Sequence, residues 1–404
     1  MHETARMFDV DLLKKSKEER VKFFKEYTIQ HPKFTKVKDE VIKEINSSDY
    51  NIIMVIGPSR IGKSRLVGEL IFEYLKNMEE EIRLNPGIIP ISGMELPNPD
   101  LSRFNWKDFY FRVLTALKDP LIDEKIDIEN EIIRKEPKKY LKPFRKDTAP
   151  ELRISIESAF RNRKTRAFLI DEAQHFFKVG GGSEALNVQF NSIKSLSNMT
   201  SSKFVMFGTY DLNQVINLDG QLTSRVKEVH FPRYDVRNRE DAKFFKSVVY
   251  TLQKVIPVEE EPNFLDHTQY LYNFSIGCIG LLKQWLERAL SDALSSSDKT
   301  ITIEHLERNS LNQKKILTLA REAIKGESDF IEKEEDRIEL QEILYGSVKK
   351  SGSQKKEDDK STDKGKHKRS KPGQRNPHRD QVGTVREDES DFSEIAKENS
   401  IGEK

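Results

Sequence analysis

Five apolar residues, Ile52 to Ile56, run directly into Gly57-Pro58-Ser59-Arg60-Ile61-Gly62-Lys63-Ser64. The spacing Gly-x4-Gly-Lys-Ser fits a loop that curls its backbone N–H groups around phosphate oxygens. Such a loop needs a buried strand before it and a helix after it, because the helix N-terminus adds partial positive charge at the phosphates. Both are present here. Leu66, Leu70, Ile71, Tyr74 and Leu75 follow at helical spacing. Gly57, Pro58, Ser59, Arg60, Ile61 and Gly62 would form the cradle. Lys63 would reach the β- and γ-phosphates of ATP, and Ser64 would ligate Mg2+. The bland alternative is a surface loop that happens to contain Gly-Lys-Ser.

A loop of this kind implies a second element, a buried strand that ends in a carboxylate. Ala167-Phe168-Leu169-Ile170-Asp171-Glu172 supplies it. Asp171 would hold the Mg2+ shell, and Glu172 would polarise an attacking water. The alternative is a pair of acids capping the next helix. A further apolar run, Phe204–Phe207, ends at Gly208-Thr209. Thr209 is a candidate to sense the γ-phosphate, with a plain turn as the alternative. Arg225 precedes the apolar run Val229–Phe231. It could reach a neighbouring subunit's phosphate site, or it could form a surface ion pair.

The strand readings are Ile52–Ile56, Gly87–Ile91, Ala167–Ile170, Phe204–Phe207 and Val229–Phe231. Short unbroken apolar runs alternating with helical segments predict an α/β fold around a five-stranded parallel sheet. Before it, Phe23, Phe24, Tyr27 and Ile29 are spaced like one buried helical face. After it, apolar positions follow the helical period from Phe244 to Leu294. From Lys349 apolar residues nearly vanish, which predicts disorder. The expected layout is an N-terminal helical extension (1–49), an ATPase domain (50–235), a helical lid (236–346) and a charged tail (347–404).

The order of these motifs resembles the TniB/TnsC transposition ATPases, which are AAA+ proteins of transposons that use a DDE transposase. The likeness rests on Ile170-Asp171-Glu172-Ala173-Gln174-His175, on Phe207-Gly208-Thr209-Tyr210-Asp211-Leu212 and on Ser275-Ile276-Gly277-Cys278-Ile279-Gly280-Leu281-Leu282. His31-Pro32-Lys33-Phe34 looks like that family's entry into the ATPase domain. The resemblance covers roughly residues 30–310. It implies ATP-dependent homo-oligomers, rings or filaments, on duplex DNA, which link a target-selecting protein to the transposase. One departure stands out. Where many AAA+ lids carry an arginine at the γ-phosphate, this chain has Gly280-Leu281-Leu282-Lys283, leaving Lys283 or Arg288 as possible substitutes.

Composition narrows the rest. Lys and Arg total 69 against 67 Asp and Glu, so clustering says more than net charge. Lys135, Lys138, Lys139, Lys142, Arg145 and Lys146 crowd together with Tyr140 and Phe144, which suits phosphate contacts to duplex DNA or a solvated basic loop. The basic stretch 349–379 reads as a linker, or as a flexible arm presenting Asp391–Ala396 to the transposase. A single cysteine, Cys278, precludes a cysteine metal cage. Neither a signal peptide nor a membrane span is evident, so a cytoplasmic protein is expected. Rival readings are a replication initiator or helicase loader, a phage-defence ATPase, or a scaffold that binds ATP with little hydrolysis.

Overall fold

A computed structural model describes residues 6–47, 49–99, 104–118, 148–177, 182–213, 226–331 and 334–345. Contacts divide the chain into Met1–Ile338 and Glu339–Lys404. The elements of the first part, in chain order, begin with α1 (Lys17–Glu26), α2 (Pro32–Ser47), β1 (Ile52–Ile56), α3 (Lys63–Asn77) and α4 (Glu79–Leu84). Then come β2 (Ile91–Glu95), α5 (Trp106–Ala116), α6 (Ala149–Arg163), β3 (Ala167–Asp171), α7 (Gly182–Thr200), β4 (Lys203–Gly208) and β5 (Val226–His230). Helices α8 (Arg239–Val255), α9 (Thr268–Ser275), α10 (Ile279–Ser295), α11 (Ile303–Asn309) and α12 (Gln313–Ser328) follow. The last helix, Glu334–Tyr345, crosses the division between the two parts.

The five strands form one parallel sheet in the order β2-β3-β4-β1-β5. Every residue of β1 is buried, because helices cover both faces of the sheet. Successive side chains alternate between those faces. Ile52, Met54 and Ile56 join Phe168, Phe204 and Met206 under α5, α6 and α7, where Phe109, Ile156, Phe160 and Phe190 complete the core. Ile53 and Val55 join Leu169, Val205 and Phe207 against α2 and α3, through Val37, Val41, Leu66 and Leu70. This two-sided burial explains why the strands read as unbroken apolar runs rather than alternating ones.

Two strand assignments move. The expected strand at Gly87–Ile91 lies at Ile91–Glu95. Pro90 has no N–H to give a ladder, and Ile91-Ser92-Gly93-Met94-Glu95 is an edge strand that pairs with β3 alone and is only partly buried. Its polar residues hid it from a search for apolar runs. Gly93 is required there, since a Cβ would stand 2.7 Å from the Leu169 carbonyl oxygen. The last strand starts at Val226 rather than Val229 and ends at His230, although Phe231 N still donates to Ile56 O at 2.8 Å.

A separate helical core gathers Phe245, Val249, Leu252, Leu282, Trp285, Leu286 and Leu290. The N-terminal helices divide between cores. Phe24 of α1 and Ile29 lie in the helical core, whereas Phe34, Val37 and Val41 of α2 lie against the sheet.

Candidate nucleotide-binding site

The carboxyl ends of parallel strands are where open α/β sheets place ligands. At this edge β1 passes into the loop 57–62, and the loop passes into α3. Gly57 is wedged against the next strand's exit, where a Cβ would sit 2.4 Å from the Phe231 carbonyl oxygen. Gly62 holds φ at 122°, a conformation that glycine reaches without strain. Arg60 is also left-handed, at φ 61°. The loop therefore turns tightly and delivers Lys63 as the first residue of α3, with no side chain capping that helix.

Lys63 is buried, and its ammonium donates to the Gly57 and Pro58 carbonyls at 3.0 and 2.9 Å. Burial pulls its pKa down, while Glu172, Asp171 and Glu322 act in the opposite sense through their charge. Asp171 closes β3 with 5% exposure. Burial pushes its carboxyl up, while the nearby Ser64 side chain and the Glu172 N–H, which donates to it at 2.9 Å, act in the opposite sense. The two sequence motifs thus lie close enough for Lys63 and Ser64 to influence the Asp171 carboxyl.

Glu172 adopts a left-handed backbone, φ 55° and ψ 35°. It does not use its side chain to cap the short turn that follows. Its carboxylate accepts instead from Gln174 Nε2 at 2.5 Å. The other end of the same amide, Gln174 Oε1, accepts from the Thr209 N–H at 3.3 Å. Gln174 therefore ties the acid after β3 to the polar residue after β4. In the sequence Gln174 stands only as one letter of the run Ile170–His175. The signal was an amide two residues past the acid pair, a spacing that returns a side chain to the strand ends.

Arg225 and the basic cluster Lys135, Lys138, Lys139, Lys142, Arg145 and Lys146 lie outside the described residues. So do the tail beyond Tyr345 and the Gly180-Gly181 pair. His175 bonds the Leu96 carbonyl through Nδ1 at 2.8 Å. Cys278 and Trp285 are buried packing residues, and the Trp285 indole donates to Leu306 O.

The start of α10 meets the loop without offering a cation. A Cβ on Gly280 would stand 2.4 Å from the Arg60 carbonyl oxygen, so helix and loop touch backbone to backbone. Arg60 donates to the Gln284 side chain across this contact. Lys283 points elsewhere, donating to Lys25 O and Tyr27 O at 2.7 and 2.6 Å, and burial brings its pKa down to about 8. Arg288 donates to Asn309 O. In this arrangement both candidate substitutes are engaged with backbone carbonyls.

Sheet order, phosphate loop and helical region together decide the architecture. The fold is that of an AAA+ P-loop ATPase. Residues 45–216 match the family model described as AAA domain, a span that contains the loop, both acids and Thr209. A Walker-type ATPase of Pyrococcus abyssi is similar at 16% identity and TM-score 0.43, over 80% of this chain and 81% of that one. The Orc1 protein of Aeropyrum pernix, solved in complex with DNA, is similar at 14% identity and TM-score 0.46, over 70% and 65% of the two chains. Cdc6p of Pyrobaculum aerophilum is similar at 15% identity and TM-score 0.45, over 76% and 71%. No curated protein matches the sequence.

Proposed function

We propose that this chain binds and hydrolyses ATP at the loop 57–64, assembles on duplex DNA when it does so, and links target selection to a transposase. The observation that carries the catalytic part is the convergence of Lys63, Ser64, Asp171 and Glu172 at the carboxyl ends of β1 and β3.

Each residue has a task that follows from its chemistry. The loop amides and the α3 N-terminus bind the phosphate chain. Lys63, already desolvated, exchanges two carbonyl partners for phosphate oxygens and neutralises their charge. Ser64 and Asp171 offer a hydroxyl and a carboxylate oxygen beside Lys63, a set that suits Mg2+ completed by phosphates and water. Among the described residues no cluster of His, Cys, Asp and Glu could hold a metal without such help. When bound, Mg2+ supplies charge neutralisation at the β- and γ-phosphates. Glu172 accepts a proton from the attacking water, and Gln174 holds that carboxylate in place. Thr209, tied to the same amide, is the candidate γ-phosphate contact. Arg225 is proposed to act on a neighbouring subunit's nucleotide.

Support for the transposition part is the ordered set of motifs around Asp171, Gly208 and Gly280. The basic cluster at 135–146 is the proposed duplex contact, through phosphates and without base reading. No helix among the described residues is long and apolar enough to cross a membrane. The test is assembly. Light scattering with random-sequence duplex DNA should rise when Mg2+ and ATP are added, and Lys63→Ala should abolish the rise. ATP binding without assembly on DNA would retire the DNA role and leave the ATPase reading standing.

A further inference from the structure

Helix α12 carries an acidic side chain onto the phosphate loop, and nothing in the sequence motifs anticipates it. Its apolar positions Ile316, Leu319, Ala320 and Ala323 recur at helical spacing and pack into the core that contains Ile61 of the loop. One turn further, Gly326 lies flat on the Tyr210 ring, where a Cβ would stand 2.0 Å from the ring carbon. Tyr210 immediately follows Thr209, and its hydroxyl pairs with His230 Nε2 at 3.0 Å. Phe330 stacks on the His230 ring, with centroids 4.1 Å apart.

Two carboxylates fix this placement. Glu322 accepts from the Ser59 hydroxyl in the middle of the phosphate loop, at 3.1 Å, and its charge reaches Lys63. Glu327 pairs with the buried Arg233 Nε at 3.2 Å. Its Oε1 is buried with no hydrogen-bond partner. The helix is thus docked through small residues and two glutamates, one of them directly on the loop.

A phosphate chain and Glu322 make the same demand on that loop. Both are anionic, both seek the charge of Lys63, and both seek donors such as the Ser59 hydroxyl. Like charges brought together repel. We propose that α12 is an acidic strap on the phosphate loop, and that nucleotide phosphates and the docked Glu322 exclude one another. Binding of ATP then loosens α12 from Ser59 and from Tyr210. By linkage, undocking of α12 raises the affinity for ATP by the same factor. The strap rests on the nucleotide reading of the loop and adds a regulatory contact to it.

Hydrogen exchange on the full-length protein, with and without Mg2+ and ATP, reads the strap directly. The expected result is faster exchange across residues 313–328 when ATP is bound. Equilibrium titration supplies the second readout. Glu322→Gln should bind ATP roughly fivefold more tightly than wild type, as the loss of one repelling charge predicts. Its affinity for adenosine, which has no phosphates, should not change, and Glu322→Asp should behave as wild type. Because Glu322 is exposed, the variant is expected to fold. The strap is overturned if ATP binds but exchange in 313–328 stays the same or slows, or if Glu322→Gln binds ATP no more tightly. If neither wild type nor Glu322→Gln binds ATP, and Lys63→Ala makes no difference, the nucleotide reading itself has failed.

Discussion

Two lysines stand on neighbouring parts of this molecule, Lys63 buried and Lys283 half-buried, and desolvation lowers the pKa of both. Lys63 begins α3 and Lys283 lies in the first turn of α10. Each donates to a pair of backbone carbonyls. Their surroundings separate them. Lys63 faces two carboxylates at the sheet edge, on a loop bent by Gly62 and Arg60. Lys283 faces the carbonyls of Lys25 and Tyr27 and lies near the Phe24 ring. The first cation is held where anions converge, whereas the second staples α10 to the segment after α1. Desolvation and a depressed pKa therefore do not by themselves distinguish the candidate phosphate-binding lysine; the charges it faces do.

Breaking the comparison starts at Glu172, one of the acids whose charge bears on Lys63. Glu172→Gln should lower ATP turnover by about 10²–10⁴-fold while ATP still binds, the range expected for a lost general base. Steady-state phosphate release and a binding titration check it together. Lys63→Ala should weaken ATP binding by about 100-fold, since charge-assisted bonds to phosphate are lost.

Lys283→Met should do the reverse. It should cost about 1–3 kcal/mol of stability by leaving two carbonyls without a donor, and leave ATP affinity within about twofold of wild type. A Lys283 variant that lost ATP as Lys63→Ala does would break the distinction. Gly280→Ala should cost a similar ~1–3 kcal/mol, because its Cβ meets the Arg60 backbone rather than a flexible side chain.

The smallest effect is in pH. The folded state holds Lys283 at about 8 against an ordinary value of 10.5. Between these values the unfolded chain binds more protons, so stability from this group rises with pH across that window. Below about 8 both states are protonated and the contribution is flat. The difference in melting temperature between wild type and Lys283→Met, followed from pH 7 to 10.5, should show that rise; a flat difference would place the ammonium in water.

The sheet and the tight loop 57–62 were legible because their requirements are local. A tight turn needs Gly57 and Gly62, and a strand buried on both faces needs a run such as Ile52–Ile56. The edge strand Ile91–Glu95 was misplaced by several residues because half its surface is not in the core, so its sequence need not be apolar. Gln174 and Glu322 were not legible as partners of Glu172 and Ser59, since polar contacts between distant elements leave no periodicity to read. The split of the N-terminal helices between two cores has the same cause. Phe24 and Phe34 are equally apolar, and only the tertiary fold sends them to different cores.

The measurement closest to the central claim is phosphate release by wild type, Lys63→Ala and Glu172→Gln, with Mg2+ and ATP, in the presence and absence of duplex DNA. The account predicts turnover by wild type, faster with DNA, and none above background for either variant, with Glu172→Gln still binding ATP. Equal turnover by wild type and Glu172→Gln would contradict it.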